Sequence, residues 1–554
     1  MVEATEGLDL ALKVKEVSVI PNPRRRTLPI SKMSVGEALE KFACRIGNSP
    51  RIVFVRPFVA FSARAYSTAA TLPIGIAYLH SILSEAGYNA EIIDGLGEAI
   101  DQIRTSSCGE YIYQGLSVND IIRRIPADAE IICISMMFSQ NWPQNRDLIK
   151  DIKKARPNAI VVVGGEHASA LPELTLSECR EIDFLVKGEG EFVLLELVHR
   201  VAKGLPTNKV AGVCYIDQSG EFVETGLAPR IADFQNLPWP SWKSIPVENY
   251  FTGAFSMGIG HGRNMIILAT RGCPYQCTFC SNVYMWTTRY LIRDPKDVVD
   301  EIEWLVDEFG CNSVDFADLT AIVKQNWIIE FCDELERRKI EIKWQLPSGT
   351  RSEALDEETI KRLYKANCRL LVFAPESGSR RTLEEIKKKL DPERIIESMR
   401  NAAKVGHTTK ACTIVGFPNE TRLDVYKTLI LVGRLAIHGV NDCNISPFSP
   451  YPGSELFFNL QKSGVIAELD DGYFKSLLGQ FDFTATKAYC ANIPGWELAI
   501  YRFLGMVMFY SLSYLFFPRR IWRVLKSIFG SKFQPGSLAE QRIYDYVVRK
   551  RMMN

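Results

Sequence analysis

A length of 554 residues excludes a single hydrophobic core and predicts roughly two to four domains. A hydrophobic content of 47% and a charged content of 24% are those of an ordinary globular protein. A net charge of +1 gives no electrostatic basis for binding nucleic acid, so no nucleic-acid partner is expected.

The cysteines indicate a reducing compartment. Apart from one group of three, the 14 cysteines are scattered, and several fall inside apolar runs that are typical of buried thiols. The opening stretch Met1–Glu6 is acidic and polar, unlike a secretory signal. Both observations predict a cytoplasmic protein.

Residues 1–49 have weak patterning and are predicted to form an N-terminal extension. A regular alternation of strands and helices then fills residues 50–204. Short runs rich in β-branched residues are predicted as strands at 51–55, 90–94, 130–135, 159–163 and 183–187. This alternation predicts an α/β domain with a doubly wound, Rossmann-like parallel sheet. Such sheets bind ligands at the carboxyl ends of their strands.

Small and polar residues stand at two of those carboxyl ends. Ser135 ends the third predicted strand, and Gly164 and Gly165 follow the fourth. Paired glycines let a ligand approach the backbone closely, although the same pair is also common in tight turns. The pattern alone leaves a ligand site and a simple turn both open.

Residues 205–262 are predicted to link this sheet to the next part of the chain. Ala211–Ile216 and Glu221–Glu224 flank a turn that contains Gly220, and together they predict a β-hairpin. The Pro- and Trp-rich stretch Leu237–Trp242 cannot continue a helix. We therefore expect an irregular linker that contains one hairpin.

A second series of strands and helices occupies residues 263–460, with about six βα units. This number predicts a partial (β/α)6 barrel, with its active site where the strands end. The predicted strand exits carry Asp318, Arg351, Glu376 with Ser377, and Gly416. Each of these is either a site residue or an ordinary loop end or helix cap.

Three cysteines follow the first strand of this series. Cys273, Cys277 and Cys280 are spaced C-x3-C-x2-C, one ligand short of the usual four-thiolate iron–sulfur site. They could hold three irons of a [4Fe-4S] cluster and leave the fourth iron open. A zinc site would need a second pair of ligands, and a disulfide does not suit so unpaired a group. Chance clustering is the remaining alternative.

The cysteine spacing, together with the aromatic Phe279 before the last cysteine, resembles the radical S-adenosylmethionine (SAM) enzymes. The resemblance implies that the open iron chelates the amino and carboxylate groups of SAM. It also implies an external one-electron reductant of the flavodoxin or ferredoxin type. The reduced cluster would cleave SAM to a 5′-deoxyadenosyl radical, which takes hydrogen from an organic substrate.

The same resemblance assigns cofactor contacts at the strand exits. It implies that Glu376 and Ser377 contact SAM, that Asp318 lies near the SAM amino group, and that Gly416 lies on the adenine side. Arg351 could pair with the SAM carboxylate, because a guanidinium binds planar anions through two hydrogen bonds.

Ser135, followed by Met137, and then Gly164-Gly165 resemble the second and third signatures of cobalamin-binding domains. The first signature, which carries a His ligand, is absent from the sequence. The resemblance therefore implies bound cobalamin whose lower face lacks a His. A degenerate domain that keeps the fold without the cofactor is the alternative.

A subgroup is indicated by Met285, Trp286 and Arg293, which follow the cysteine loop. These residues resemble the radical SAM proteins related to the anaerobic Mg-protoporphyrin monomethyl ester cyclase and to cobalamin-dependent methyltransferases. The leading hypothesis is methylation of an unactivated carbon. The alternatives are a non-methylating cyclase or rearrangement enzyme, and a non-catalytic iron–sulfur protein for electron transfer or regulation.

Residues 461–554 are predicted to form a helical C-terminal region. Phe503–Phe517 is the most apolar run, but its 15 residues fall short of the ~20 that span a bilayer. Pro518–Phe529 predicts a basic amphipathic helix. Two interpretations stay open, namely peripheral membrane contact through residues 503–529 and a helical cap over the open side of the barrel. The two are compatible, because an apolar cap would suit a lipid-like or tetrapyrrole-like substrate.

Overall fold

The computed structural model describes residues 28–44, 49–65, 70–252, 257–351, 355–481, 486–529 and 536–553. Much of the predicted N-terminal extension lies outside these ranges, and the helix Val35–Lys41 belongs to its described part. Two large sheets, both dominated by parallel strands, organise the described chain. The predicted α/β fold class is confirmed.

The N-terminal part contains ten strands: β1 Ile52–Arg56, β2 Val59–Ser62, β3 Ala90–Asp94, β4 Ile103–Thr105, β5 Tyr111–Gln114, β6 Ile131–Ser135, β7 Ile160–Gly164, β8 Phe184–Val186, β9 Val213–Ile216 and β10 Phe222–Glu224. Seven of them form one sheet in the order β10-β9-β8-β7-β6-β1-β3. The strands from β3 to β8 in that order run parallel. Central strands such as β6 are nearly unbroken apolar runs because both faces of the sheet are buried.

The helices of this part are Ile74–Glu85, Val118–Arg124, Trp142–Ala155, Glu166–Ala170, Pro172–Glu178, Gly190–Ala202 and Val247–Thr252. The predicted hairpin is β9–β10, which pairs antiparallel with β8 and extends the sheet. A small antiparallel sheet, β2-β5-β4, is not predicted from the sequence. Its strands have only three or four residues, too few to show a clear alternation.

Eight further strands follow: β11 Asn264–Ile267, β12 Thr270–Arg271, β13 Leu291–Ile292, β14 Ser313–Phe316, β15 Lys343–Thr350, β16 Cys368–Glu376, β17 Thr408–Val415 and β18 Asp442–Pro447. Six of them form a parallel sheet in the order β11-β14-β15-β16-β17-β18. This is the predicted partial barrel, with β11 and β18 as its two edges. Its helices are Asn282–Trp286, Pro295–Phe309, Gln325–Arg338, Glu357–Lys365, Arg380–Glu385, Pro392–Val405 and Arg422–Ile437.

The C-terminal part is helical, with helices Glu455–Lys462, Asp471–Ser476, Gly495–Phe516, Arg519–Phe529 and Leu538–Met553. The longest of these covers the open barrel edge at β18. There the guanidinium of Arg502 donates a 3.2 Å hydrogen bond to the backbone carbonyl of Ile445. Gly505 packs so closely that a Cβ atom there would lie 2.4 Å from the Ile445 side chain. The helix therefore buries part of the β18 edge and supplies a hydrogen-bond donor to one of its otherwise unpaired backbone carbonyls.

This helix is longer than its apolar run. It has 22 residues, because Gly495–Arg502 continues it on the N-terminal side, where Glu497 pairs with Arg422. The expectation that the segment is too short to cross a bilayer is corrected. By length and composition alone, it is the one helix in the described ranges that could do so, and 33% of its apolar window is buried in the protein.

The amino ends of the barrel strands are closed by a segment from much later in the chain. The backbone N–H groups of Leu538 and Ala539 begin the last helix and donate to the Asp442 carboxylate at 2.7 and 3.2 Å. The Leu538 side chain packs in one buried cluster with Leu370 and Val372 of β16. We call this segment the barrel floor.

Because the carboxyl group of Asp315 is buried, we expect it to make the folded protein more stable at acidic pH. It accepts 3.0 Å hydrogen bonds from the Gly258 N–H and the Gln345 amide, yet burial raises its pKa from 3.8 to about 6. Between those pH values the folded state holds a proton that the unfolded state has lost, so stability falls as pH rises. We expect a loss of up to about 3 kcal/mol from pH 4 to pH 6.

Urea unfolding of the Asp315→Asn variant over this pH range checks the prediction, because asparagine keeps the shape and cannot titrate. The variant should lose the pH dependence that Asp315 contributes. The exposed Asp101→Asn change serves as the control and should leave the wild-type slope intact. An Asp315→Asn variant with the wild-type slope would show that another group is responsible.

Candidate functional site

The three cysteines lie on the loop that leaves the first barrel strand, between β12 and β13, which pair antiparallel. Within the loop the Thr278 N–H donates to the Ile386 carbonyl at 3.0 Å. Burial raises the pKa of all three thiols, and Cys277 raises those of Cys273 and Cys280 further. The thiols form no disulfide and are close enough to interact electrostatically.

Within the described residues, no three His, Cys, Asp or Glu side chains are placed to hold a single metal ion. A four-iron cluster has its cysteine ligands on separate irons, so three thiolates need to surround the cluster and need not meet at one point. The arrangement therefore gives no support to a zinc site. Three neighbouring, unbridged thiols do fit a cluster that is held by three ligands.

Two cations and a carboxylate stand beside the cysteines. The Lys388 ammonium lies 2.9 Å from the carboxylate of Glu376, at the end of β16, and both side chains are buried. The Arg351 guanidinium lies 3.8 Å from the centre of the Tyr275 ring. Both cations act to lower the pKa of the two nearest cysteines, against the larger effect of burial. This pocket offers both signs of charge that a ligand with an ammonium and a carboxylate requires.

Glu376 has a φ of 60°, a left-handed conformation that non-glycine residues seldom adopt. Such conformations cost free energy and cluster at functional sites. Lys388 was not predicted, because it lies in a run of three lysines that indicates a solvated surface. Its burial depends on the Glu376 carboxylate, which lies twelve positions earlier, at the end of β16, and the sequence gives no sign of that pairing.

The exit of β17 packs against the cysteine loop. The ring of Phe279 lies 5.8 Å from the ring of Phe417. The neighbouring Gly416 has a φ of 87°, and its N–H donates a 2.6 Å hydrogen bond to the Glu420 carboxylate. Burial raises the pKa of Glu420 to about 7. The structure thus brings Phe279 and Gly416 into one region, where Glu420 already holds the Gly416 N–H.

Two predicted site residues are engaged in holding the loops. The carboxylate of Asp318 accepts hydrogen bonds from the Ala269 and Thr270 N–H groups, and burial raises its pKa to about 6. The hydroxyl of Ser377 lies 3.0 Å from the Thr428 hydroxyl. In this structure both side chains are bonded to other groups of the protein. Their direct contacts with SAM stay predictions.

A cavity lies between the N-terminal sheet and the cysteine loop. Its volume is about 290 Å³. One wall contains Ser135, Gly164 and Gly165, at the carboxyl ends of β6 and β7, and another contains residues 270–272 and Trp286. The structure therefore brings the three predicted residues of the sheet to the same cavity as the cysteine loop.

The cavity has features of a cobalamin site. Gly165 has a φ of 123°, and a Cβ atom there would lie 2.6 Å from the Met136 carbonyl, so only glycine permits this turn. No histidine occurs among the described residues that line the cavity. His167 is buried, with its Nδ1 atom 3.0 Å from the Ser139 hydroxyl, and burial lowers its pKa to about 3. The described walls of this cavity would therefore offer no His to a bound cobalamin.

A buried ion network joins the sheet to the cysteine loop. Arg271 pairs with Glu189 at 3.0 Å and with Glu191 at 2.5 Å. Glu189 also pairs with Arg230 at 3.0 Å, and all four side chains are almost fully buried. The Arg271 guanidinium lies 4.5 Å from the centre of the Phe234 ring. This network was missed, although the Gly-Glu-Gly-Glu stretch at 188–191 and the arginine before the first cysteine were visible signals.

A hydrogen bond also joins the cysteine loop directly to the loop after β7. The hydroxyl of Ser281, the residue after Cys280, donates to the carboxylate of Glu166, the residue after the paired glycines. Burial raises the pKa of Glu166. The loop that follows β7 and the loop that carries the cysteines are thereby held together at the cavity.

A Rossmann-like sheet whose ligand edge faces a three-cysteine loop on a partial barrel defines the class of radical SAM proteins that also bind cobalamin. Residues 267–432 match the radical SAM superfamily, and residues 63–198 match the B12 binding domain. The chain therefore carries a radical SAM domain and a B12-binding domain. It is an enzyme of this class. These domains imply an iron–sulfur cluster, SAM and cobalamin as cofactors.

Relatives in sequence support this assignment, and a solved structure shares the fold. The chain is 29% identical over 386 residues to an uncharacterised methyltransferase of Pyrococcus horikoshii. The aligned residues are 70% of this chain and 77% of that relative. It is 30% identical over 418 residues to the anaerobic magnesium-protoporphyrin IX monomethyl ester cyclase of Cereibacter sphaeroides, covering 74% of this chain and 64% of the cyclase. TsrM of Kitasatospora setae, a radical SAM methyltransferase solved with cobalamin and a [4Fe-4S] cluster, has a similar fold. Its TM-score is 0.62 at 17% identity, over 91% of this chain and 99% of TsrM.

Proposed function

We propose that the protein is a cobalamin-dependent radical SAM methyltransferase that methylates an unactivated carbon of an organic substrate. The observation that carries the proposal is the shared cavity, whose walls come from the ligand edge of the B12-binding sheet and from the cysteine loop. A cavity that adjoins both the ligand edge of the B12-binding sheet and the loop that carries the cysteines suits a reaction that needs both cofactors. The similarity to the Pyrococcus horikoshii methyltransferase supports the same reaction class.

In this proposal the [4Fe-4S] cluster is held by three thiolates, those of Cys273, Cys277 and Cys280. The cations Arg351 and Lys388 bind the SAM carboxylate, and Glu376 binds the SAM ammonium or ribose hydroxyls. When bound, the cluster supplies the electron that cleaves SAM, and cobalamin supplies the methyl group. The residues of this chain orient the ligands and exclude water from the cavity.

The sheet residues have a separate task. Ser135, Gly164 and Gly165 line the cavity at the strand ends and are proposed to hold the nucleotide tail of cobalamin. Phe279 and Gly416 are proposed to shape the adenine side of the SAM site. An external reductant of flavodoxin or ferredoxin type would supply the electron. The substrate is proposed to be an organic molecule of lipid-like or tetrapyrrole-like character.

Anaerobic incubation of the cofactor-loaded protein with SAM and a reductant tests the proposal. We expect 5′-deoxyadenosine from cleavage of SAM and S-adenosylhomocysteine from methyl transfer. The Lys388→Met variant should raise the KM for SAM by roughly tenfold or more, because it leaves Glu376 buried beside the ligand without its cation. Lys387→Met is the matched control, since Lys387 pairs with Glu455 at 2.7 Å instead. If neither product forms, the proposal fails.

A second candidate function is a non-methylating cyclase or rearrangement reaction. The 30% identity to the magnesium-protoporphyrin cyclase of Cereibacter sphaeroides favours it. Formation of 5′-deoxyadenosine without S-adenosylhomocysteine, in the presence of substrate, would decide for this candidate. Both products together would decide for the methyltransferase.

A further inference from the structure

One side of the barrel carries a large apolar surface. More than half of the large hydrophobic side chains that are exposed in the described chain lie on the helices Arg422–Ile437, Gly495–Phe516 and Arg519–Phe529. Exposed apolar side chains that are concentrated on neighbouring helices mark a binding surface more often than singly scattered ones do. We call this surface the apolar flank and define it by Ile430, Phe503, Leu504, Val507, Leu515 and Trp522.

The first two helices lie side by side and run in the same direction. Arg422 pairs with Glu497 at one end, and the Tyr426 and Tyr501 rings are 5.7 Å apart one turn further along. A Cβ atom on Gly505 would lie 2.7 Å from Leu429, so the neighbouring residues Ile430 and Leu504 stand at about the same level. The exposed side chains of the two helices thus belong to one surface.

The exposure along this surface is high. Ile430 is 63% exposed and Phe503 60%, while Leu515 and Trp522, near its other end, are 73% and 75% exposed. The opposite face of Gly495–Phe516 is buried against β18, and there Arg502 is bound to a barrel carbonyl. If lipid surrounded the helix, the hydrogen bond between Arg502 and β18 would be broken. The flank therefore suits contact with the surface of a bilayer and not a crossing of it.

The charge next to the flank specifies the kind of surface. The stretch from Leu498 to Phe529 contains no Asp or Glu, and Arg519, Arg520, Arg523 and Lys526 fall within its last helix. Arg519 is exposed, while Arg520 donates to the backbone carbonyls of Gly439 and Val440, just before β18, and Arg523 pairs with Glu540. A helix with exposed Trp on one side and basic residues along its length is typical of segments that lie in the headgroup region of anionic membranes.

We propose that the protein docks on membranes that contain anionic lipids, through the apolar flank and the adjoining basic helix Arg519–Phe529. Docking buries the exposed apolar side chains, and the exposed Arg519 contacts anionic headgroups. The N-terminal end of Gly495–Phe516 lies at the barrel mouth, where the Leu498 side chain contacts Gly416. The mouth therefore lies beside the bound bilayer. This inference does not depend on which reaction the site performs.

Vesicle flotation of the cofactor-loaded full chain tests the docking. We expect binding to vesicles of phosphatidylglycerol and phosphatidylethanolamine to be about tenfold or more tighter than to pure phosphatidylcholine, and to weaken as salt is added. The triple variant Phe503→Ser, Leu515→Ser, Trp522→Ser should lose binding by about tenfold or more, since these exposed apolar groups enter the interface. Leu205→Ser is the control, because Leu205 is exposed and lies outside the flank.

The triple variant should keep wild-type cleavage of SAM in solution, which shows that the fold is intact. Equal flotation of the variant and the wild type would overturn the proposal, and so would equal binding to both kinds of vesicle. A wild-type chain that forms dimers in solution, binds no vesicles, and becomes monomeric in the triple variant would assign the flank to a second copy of the chain. That result would also overturn the membrane proposal.

Discussion

Replacing Cys277 by alanine will reduce cleavage of SAM by roughly 100-fold or more, because even the loss of residues around metal ligands costs 10–100-fold. Two remaining thiolates cannot retain a cluster that three would hold. The measurement is 5′-deoxyadenosine formed per protein after anaerobic reconstitution, together with the iron content and the visible absorption of the cluster. We expect all three readouts to fall together.

Cys108→Ala is the matched control for this change. Cys108 is an exposed thiol between β4 and β5, far along the chain from the cysteine loop. The control should keep wild-type iron content and activity. A Cys277→Ala variant that binds iron and cleaves SAM like the wild type would refute the assignment of the three cysteines as cluster ligands.

Replacing Arg271 by methionine will lower the free energy of unfolding by about 3–5 kcal/mol, because it leaves buried carboxylates without their partner. Glu189 would keep Arg230, but Glu191 would lose the cation that lies 2.5 Å away. Urea unfolding followed by tryptophan fluorescence is suitable, since Trp286 lies beside the Arg271 guanidinium. Cluster content should also fall, because Arg271 is two residues before the first cysteine.

Arg337→Met is the control for the buried network. Arg337 also pairs with a glutamate, Glu334, at 2.6 Å, but its side chain is 66% exposed. Exposed pairs contribute about 0–1 kcal/mol, so this variant should unfold almost like the wild type. Equal destabilisation by the two changes would mean that burial does not set the strength of the Arg271 network.

The sequence is most informative where a feature is local. The strands around Ser135 and Gly164 are apolar runs that end in small or polar residues, and the cysteine spacing lies within one loop. Both sheets follow from such local patterns and from the rule that parallel strands expose their ligands at one edge. The length of the helix Gly495–Phe516 was underestimated. Its first two turns contain the charged residues Glu497 and Arg502, so the apolar run begins only at Phe503.

Features that depend on distant partners were not predictable. Lys388 resembles its two lysine neighbours in the sequence, and only its contact with Glu376 distinguishes it. The pairing of Arg271 with Glu189 and Glu191 joins residues some eighty positions apart. Nothing in the local composition at either end specifies the partner, because burial of the pair arises only when sheet and barrel pack together.

The barrel floor has a consequence for the order of folding. The backbone N–H groups of Leu538 and Ala539 donate to the carboxylate of Asp442, the first residue of β18, and the Leu538 side chain packs beneath β16. During synthesis all six barrel strands leave the ribosome well before this segment exists. Until it arrives, the Asp442 carboxylate and the apolar base of β16 are open to water. The barrel therefore reaches its final stability only after translation of its last helix, and a nascent chain stalled before residue 537 should be a good substrate for chaperones.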